Sequence, residues 1–182
     1  MFNNIVENYN KKVSILQQVH EQQGQGAVRD ATGDLFEDIA CNLIKLANPA
    51  AQALKNDYKT IVSKSGHTLD NLQVDRHIYV NHQLKMFVEC KTYLDACFLK
   101  RAVEDFKMLL RVHPQAKCVI ITGQDACSTQ SMNFYKDELD FEVFILNVDK
   151  KRSSTKPLWK VYNSLDSSEM SRFVEFASRT LI

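Results

Sequence analysis

The spacing of apolar residues predicts two helices in the first part of the chain. Residues 3–22 carry apolar side chains at helical spacing, and Gly24 follows where this pattern ends. A second helix is predicted to begin near Thr32 or Asp34, where apolar residues again recur every three or four positions. This helix is expected to stop before Pro49, because proline disfavours helical backbone in the residue that precedes it.

The same helical period returns twice in the second half of the chain. Residues 98–112 place their apolar side chains on one stripe, and a proline two residues later ends the segment. A last helix is predicted from about Ser167. Asp166 and Glu169 are spaced there as a capping box, in which two side chains satisfy backbone N–H groups at a helix start.

Between these helices the pattern is that of strands. Residues 77–80 and 85–94 are rich in β-branched, aromatic and aliphatic side chains, and residues 81–83 between them indicate the turn of a hairpin. Residues 117–123 and 141–148 are almost continuously apolar, as expected for strands covered on both faces. Together these elements predict a mixed α/β fold, with helices on both faces of one sheet.

Composition narrows the class of protein. A chain of 182 residues is about the length of one domain, so residues 1–182 are expected to form a single domain. The 23 basic and 22 acidic residues nearly cancel, so any basic surface must be local. No apolar run is long enough to cross a bilayer and the start of the chain does not resemble a signal peptide, so a cytoplasmic protein without membrane contact is expected. The five cysteines include no Cys-x-x-Cys pair and are expected to be structural thiols.

The chemistry is concentrated in the second arm of the predicted hairpin. Glu89 and Lys91 interrupt an apolar strand, and residues two positions apart point to the same face of a sheet. Ionised side chains in such a strand are costly unless they are paired or bind a cation. If a three-residue turn pairs Val80 with Leu84, the register also places Asp75 opposite Glu89, about 4.5–5.5 Å apart at Cβ.

Two carboxylates at that distance repel each other unless one protonates or both share a cation. Oxygen ligands of this kind suit Mg²⁺, which takes one or two carboxylates together with water and phosphate oxygens. A turn of two or four residues would instead put Asp75 on the wrong face. Asp70 is the rival for the first carboxylate, but its polar surroundings favour a turn.

Val74-Asp75, followed after thirteen residues by Glu89-Cys90-Lys91, resembles the signature of the PD-(D/E)XK nucleases, a family dominated by restriction endonucleases. The resemblance covers residues 30–148 and implies a restriction-endonuclease-like fold. Val74 replaces the proline of the signature, and Arg76 and His77 stand where an apolar pair is commoner.

The resemblance implies a role for each matching residue. Asp75 and Glu89 would bind Mg²⁺ together with the backbone carbonyl of Cys90. Lys91 would be the catalytic lysine. Glu37, on the preceding helix, would be an auxiliary acid, although its position is equally that of a solvated helix flank.

Basic residues concentrate in one segment near the end of the chain. Its hydroxyl-rich loop is as consistent with phosphate contacts as with an ordinary solvated loop. Residues 124–135 are polar and are a second candidate, for contacts to base edges. The basic residues predicted to bind DNA are Lys150, Lys151, Arg152, Lys156 and Lys160.

The leading hypothesis is a Mg²⁺-dependent endodeoxyribonuclease that cuts double-stranded DNA at a specific sequence, as a type II restriction enzyme. Cleavage of both strands would need two active sites, so a homodimer is expected. A structure-specific or repair nuclease, or a junction resolvase, of the same fold is the alternative enzyme. From another class, the chain could be a non-catalytic interaction domain in which the three charged residues form a structural ion pair.

Overall fold

The structure, a computed structural model, describes residues 1–23, 25–62, 65–66, 68–151 and 164–182. These residues form five helices, α1 (Asn3–Gln23), α2 (Gln25–Ala47), α3 (Ala96–Val112), α4 (Thr129–Glu138) and α5 (Ser167–Thr180). They also form seven strands, β1 (Gln52–Leu54), β2 (Lys59–Val62), β3 (Thr68–Leu72), β4 (Arg76–Val80), β5 (Gln83–Leu94), β6 (Lys117–Asp125) and β7 (Phe141–Ile145).

Five of the strands form one mixed sheet in the order β1-β4-β5-β6-β7. The pairs β1–β4 and β4–β5 are antiparallel, whereas β5–β6 and β6–β7 are parallel. The parallel strands are connected by α3 and α4, as crossovers between parallel strands require. Strands β2 and β3 pair only with each other and form a separate hairpin between β1 and β4. The long strand β5 therefore lies at the centre of the sheet.

Helices cover both faces of this sheet, so the predicted fold class is confirmed. On one face α1, α2 and α5 pack against a core that includes Met86 and Val88 of β5. On the other face α3 and α4 pack against a core that includes Phe87. At Gly123 of β6 a side chain would collide with the ring of Phe36, because a Cβ there would lie 2.6 Å from its Cζ. The glycine thus lets α2 approach the sheet closely.

The hairpin between β4 and β5 differs in detail from the prediction. Its turn has two residues, Asn81 and His82, both with positive φ as in a type I′ turn. An extra residue on β5, Lys85, then forms a bulge, and beyond it Arg76 pairs with Val88. The shorter turn shifts the strand register by one residue from the predicted one, and the bulge shifts it back. Continued by one residue, the register places Asp75 opposite Glu89, as the three-residue turn would have done.

Two other local predictions are corrected. Helix α2 begins at Gln25, earlier than the expected start near Thr32 or Asp34. Asp70 lies in β3 rather than in a turn and pairs with Ile61 of β2. Most of the polar stretch 124–135, the second candidate for DNA contacts, lies in α4.

The last helix agrees with its prediction at one of the two capping residues. The Asp166 side chain accepts hydrogen bonds from the backbone N–H groups of Ser168 and Glu169. The Glu169 side chain does not complete the box, because it pairs with Arg172 and Lys150 instead. In the described part of the chain, no helix has the length and apolar character needed to cross a membrane.

Candidate active site

The three charged residues of the predicted motif lie together at the centre of the sheet. Lys91 Nζ is 2.5 Å from Glu89 Oε1 and 3.5 Å from Asp75 Oδ2. The backbone N–H of Cys90 donates a hydrogen bond to Asp75 Oδ2 at 2.7 Å. This bond ties the residue before β4 to the middle of β5. Two carboxylates therefore share one ammonium group.

The alternation of β5 explains why these charges are tolerated. Met86, Val88 and Cys90 point into the apolar core beneath α2. Glu89 and Lys91 point to the opposite face, where they line a pocket of about 240 Å³. The residues around this pocket come from β5, from α3 and from the segments that flank the β2–β3 hairpin. They are Lys55, Asn56, Gln73, Val74, Asp75, Glu89, Lys91, Phe98, Arg101 and Asp105.

Burial and neighbouring charges shift the pKa values of Glu89 and Lys91 in the pocket. Burial raises the pKa of the Glu89 carboxyl, and the Asp75 carboxylate raises it further, although Lys91 opposes both effects. Burial by itself would lower the pKa of the Lys91 ammonium, but the charges of Glu89 and Asp75 outweigh it and raise that pKa. The pocket thus holds Lys91 charged and makes ionisation of Glu89 costly.

The donor set fits a magnesium ion. Carboxylate oxygens of Asp75 and Glu89 are hard ligands, and Mg²⁺ in proteins commonly takes two carboxylates and completes its shell with water and phosphate oxygens. Burial raises the pKa of Glu89, and a divalent cation bound beside it would favour the charged form of the carboxyl group. Within the described residues no group of three or more His, Cys, Asp and Glu side chains is placed to hold a metal. A metal ion held by Asp75 and Glu89 would therefore have two carboxylate ligands among the described residues.

Glu37 lies beside the pocket rather than among the residues that line it. Its Oε2 is 2.9 Å from Arg76 Nη2 and 3.1 Å from Lys55 Nζ. Burial raises the pKa of this carboxyl and the charge of Asp75 adds to the effect, while Lys55 lowers it. The charge of Asp75 therefore affects the pKa of Glu37, but the Glu37 carboxylate is already paired with Arg76 and Lys55.

Two of the five basic residues predicted to bind DNA are described, and both are held in ion pairs. Lys150 Nζ is 3.2 Å from Glu169 and 3.4 Å from Asp166. Lys151 pairs with Asp125 at the end of β6. Arg152, Lys156 and Lys160 lie outside the described residues. A DNA-binding role for this segment stays a prediction.

The pocket also contains residues that the sequence pattern did not single out. Lys55 and Asn56 directly follow β1, and Asn56 has a positive φ of 59°. Phe98, Arg101 and Asp105 follow one another on a single face of α3. The three residues of α3 could have been identified from the sequence, since their positions lie beside the apolar stripe of that helix. Lys55 could not, because its position depends on how β1 pairs with β4.

Comparison with known proteins gives a limited likeness. No model of a known protein family matches the chain. A segment of 49 residues is 33% identical to the type II restriction enzyme DdeI of Desulfomicrobium norvegicum. It covers 27% of this chain, which spans only 20% of that enzyme. Part of the chain is therefore distantly similar to a restriction enzyme.

A solved structure described as the native BbvCI A2B2 tetramer covers 96% of this chain and 86% of its own. Its sequence identity to this chain is 12% and the TM-score is 0.41. A TM-score of this size does not establish a common fold.

Proposed function

We propose that this protein is a Mg²⁺-dependent endodeoxyribonuclease that cuts double-stranded DNA at a specific sequence, in the manner of type II restriction enzymes. One observation carries the proposal: Asp75, Glu89 and Lys91 meet in one pocket on the central strand. The segment that is similar to a type II restriction enzyme supports the same reaction class.

In this proposal each residue has a distinct task. Asp75 and Glu89 hold the metal, with the backbone carbonyl of Cys90 as a third ligand. When bound, Mg²⁺ supplies positive charge next to the phosphate under attack. Lys91 orients the attacking water through a hydrogen bond from its ammonium group. Glu37 keeps its ion pair with Arg76 and so steadies the residue that follows Asp75.

We further propose that the enzyme acts as a homodimer. A single pocket cuts one strand, so two pockets related by a two-fold axis would be needed to cut both strands of a symmetric site. Sedimentation of the protein with and without DNA tests this point. A monomer in both samples, combined with cleavage of both strands, would contradict it.

The first experiment is digestion of a large unmethylated DNA in the presence of Mg²⁺ or EDTA. We expect discrete fragments with Mg²⁺ only, and none with the variant Glu89→Ala. Glu104→Ala is the matched control, because Glu104 is an exposed glutamate of α3 outside the pocket. A metal-dependent smear or nicking would favour a structure-specific or repair nuclease. No cleavage by the folded wild-type protein would overturn the enzyme proposal.

The competing explanation is a structural ion pair, since Lys91 already contacts both carboxylates. It predicts that Glu89→Ala lowers stability and that Mg²⁺ changes nothing. Thermal unfolding of the wild-type protein with and without Mg²⁺ separates the two explanations.

A further inference from the structure

One of the cations that line the pocket has no role in the proposed chemistry. Arg101 lies on α3 and its side chain is 82% exposed. Its Nε is 3.8 Å from Asp105 Oδ2, which is beyond hydrogen-bonding distance. The guanidinium group therefore has donors available at the mouth of the pocket.

Lys55 differs from Arg101 in this respect. Its ammonium is 2.8 Å from Asp34 and 3.1 Å from Glu37, and hydrogen bonds to these carboxylates raise its pKa. Lys91 is likewise engaged with Glu89 and Asp75. Three cations line the pocket, and the distance from the cationic nitrogen to the nearest carboxylate oxygen is greatest for Arg101.

A DNA backbone that approaches this pocket meets the carboxylates of Asp75, Glu89 and Asp105. These charges repel a phosphate unless a cation at the entrance offsets them. Arginine suits this position, because its planar fork can donate two parallel hydrogen bonds to one phosphate. Asn56 and Gln73, which also line the pocket, add uncharged donors.

We propose that Arg101 binds a DNA backbone phosphate at the mouth of the pocket and so draws the cleaved strand towards Asp75 and Glu89. This inference rests on the proposed function. It makes Arg101 a substrate-binding residue that acts on affinity, whereas Glu89 and Lys91 act on the chemical step. It also gives α3 a role in holding the substrate.

The test compares Arg101→Ala with Arg111→Ala. Arg111 is an exposed arginine of the same helix that does not line the pocket, so both variants remove one positive charge from α3. Affinity for a labelled duplex is measured in EDTA from about 0.05 to 0.3 M salt. Loss of one phosphate contact reduces the slope of log affinity against log salt by about 0.9, which corresponds to about eightfold weaker binding at 0.1 M salt.

We expect this loss for Arg101→Ala and a clearly smaller one for Arg111→Ala. In cleavage assays with Mg²⁺, Arg101→Ala should raise KM and leave kcat unchanged. Arg101→Lys should restore the salt slope, because it restores the charge, but only part of the affinity, because an ammonium lacks the fork.

Three results would overturn the inference. If the wild-type protein binds and cleaves DNA while the two alanine variants behave alike, Arg101 holds no phosphate and the proposed function stands. If Arg101→Ala lowers kcat without changing KM, the residue acts in the chemical step instead. If the folded wild-type protein neither binds nor cleaves duplex DNA, the proposed function fails as well.

Discussion

Two charge clusters, each built around a largely buried glutamate, are balanced in opposite ways at that glutamate. In the pocket cluster (Asp75, Glu89 and Lys91) two carboxylates share one cation. In the Glu169 cluster (Glu169, Lys150 and Arg172) two cations contact the Glu169 carboxylate, and they also pair with Asp166 and Glu142. The clusters contain the same kinds of side chain, and the glutamate is largely buried in both.

The pKa values of Glu89 and Glu169 are shifted in opposite directions. Burial works to raise the pKa of both carboxyl groups. For Glu89 burial prevails, with the charge of Asp75 added to it, and the pKa is raised. For Glu169 the hydrogen bonds and charges of Arg172 and Lys150 prevail, and the pKa is lowered. The Glu169 carboxylate is thus satisfied as an anion within the chain, whereas burial and the charge of Asp75 disfavour the charged form of Glu89.

The largest expected effect is on cleavage. Glu89→Gln should slow single-turnover cleavage at least about a hundredfold, because it removes a charged metal ligand beside the phosphate. Glu169→Gln, which makes the same chemical change in the satisfied cluster, should leave the rate unchanged. Equal losses in both variants would show that the imbalance of charge has no bearing on activity.

The next effect is on metal binding. Mg²⁺ at a hundredfold excess over its dissociation constant should stabilise the protein by about 2.7 kcal/mol, since the metal binds the folded state alone. The gain should persist in Glu169→Gln and disappear in Glu89→Ala. Chemical unfolding with and without Mg²⁺ measures it, and NaCl at matched ionic strength controls for general salt effects.

A smaller effect is on stability without metal. Glu169→Gln should lower the free energy of unfolding by about 1.5–3 kcal/mol, because it weakens hydrogen bonds from two charged donors. Glu89→Gln should change it by less than about 1 kcal/mol, since Lys91 keeps Asp75 as a partner and the repulsion between carboxylates is relieved. Urea unfolding in EDTA gives both values. A greater loss for Glu89→Gln would mean that the pocket cluster is structural.

The smallest effect is on pH dependence, where the two clusters should differ in sign. Glu169 has a pKa below its ordinary 4.5, so its stabilisation is complete above that pH and is lost as the pH falls through the folded value. Glu89 has a raised pKa, so its ionisation costs stability at neutral pH, and acid relieves that cost.

Unfolding of the wild-type protein and both glutamine variants between pH 7 and acid, in EDTA, tests this expectation. As the pH falls, Glu169→Gln should approach the stability of the wild type. That change belongs below pH 4.5, whereas Glu89→Gln should lose stability relative to the wild type at higher pH, as the pH falls from the raised pKa of Glu89 to the ordinary 4.5. Differences that change in the same direction for both variants would contradict the assignment of opposite pKa shifts.

The sequence alone predicted the parts of the fold that depend on local pattern. The alternation in β5 placed Glu89 and Lys91 on one face and Cys90 on the other, because side chains in a strand alternate with period two. Helix α3 and strand β6 followed in the same way from their apolar periods. Residue types and spacing also identified Asp75 as a candidate site residue, although its position opposite Glu89 depended on the length of the turn.

Only the tertiary structure decided how distant segments meet. The position of Asp75 opposite Glu89 depended on a two-residue turn and a bulge at Lys85, whose effects on the strand register cancel. Neither feature can be predicted from the alternation of side chains along a strand. The engagement of Glu37 by Arg76 and the entry of Lys55 and Arg101 into the pocket required α2, β1 and α3 to be docked on the sheet. Local pattern depends on the side chains of one segment, whereas a binding pocket depends on the free energy of packing several segments together.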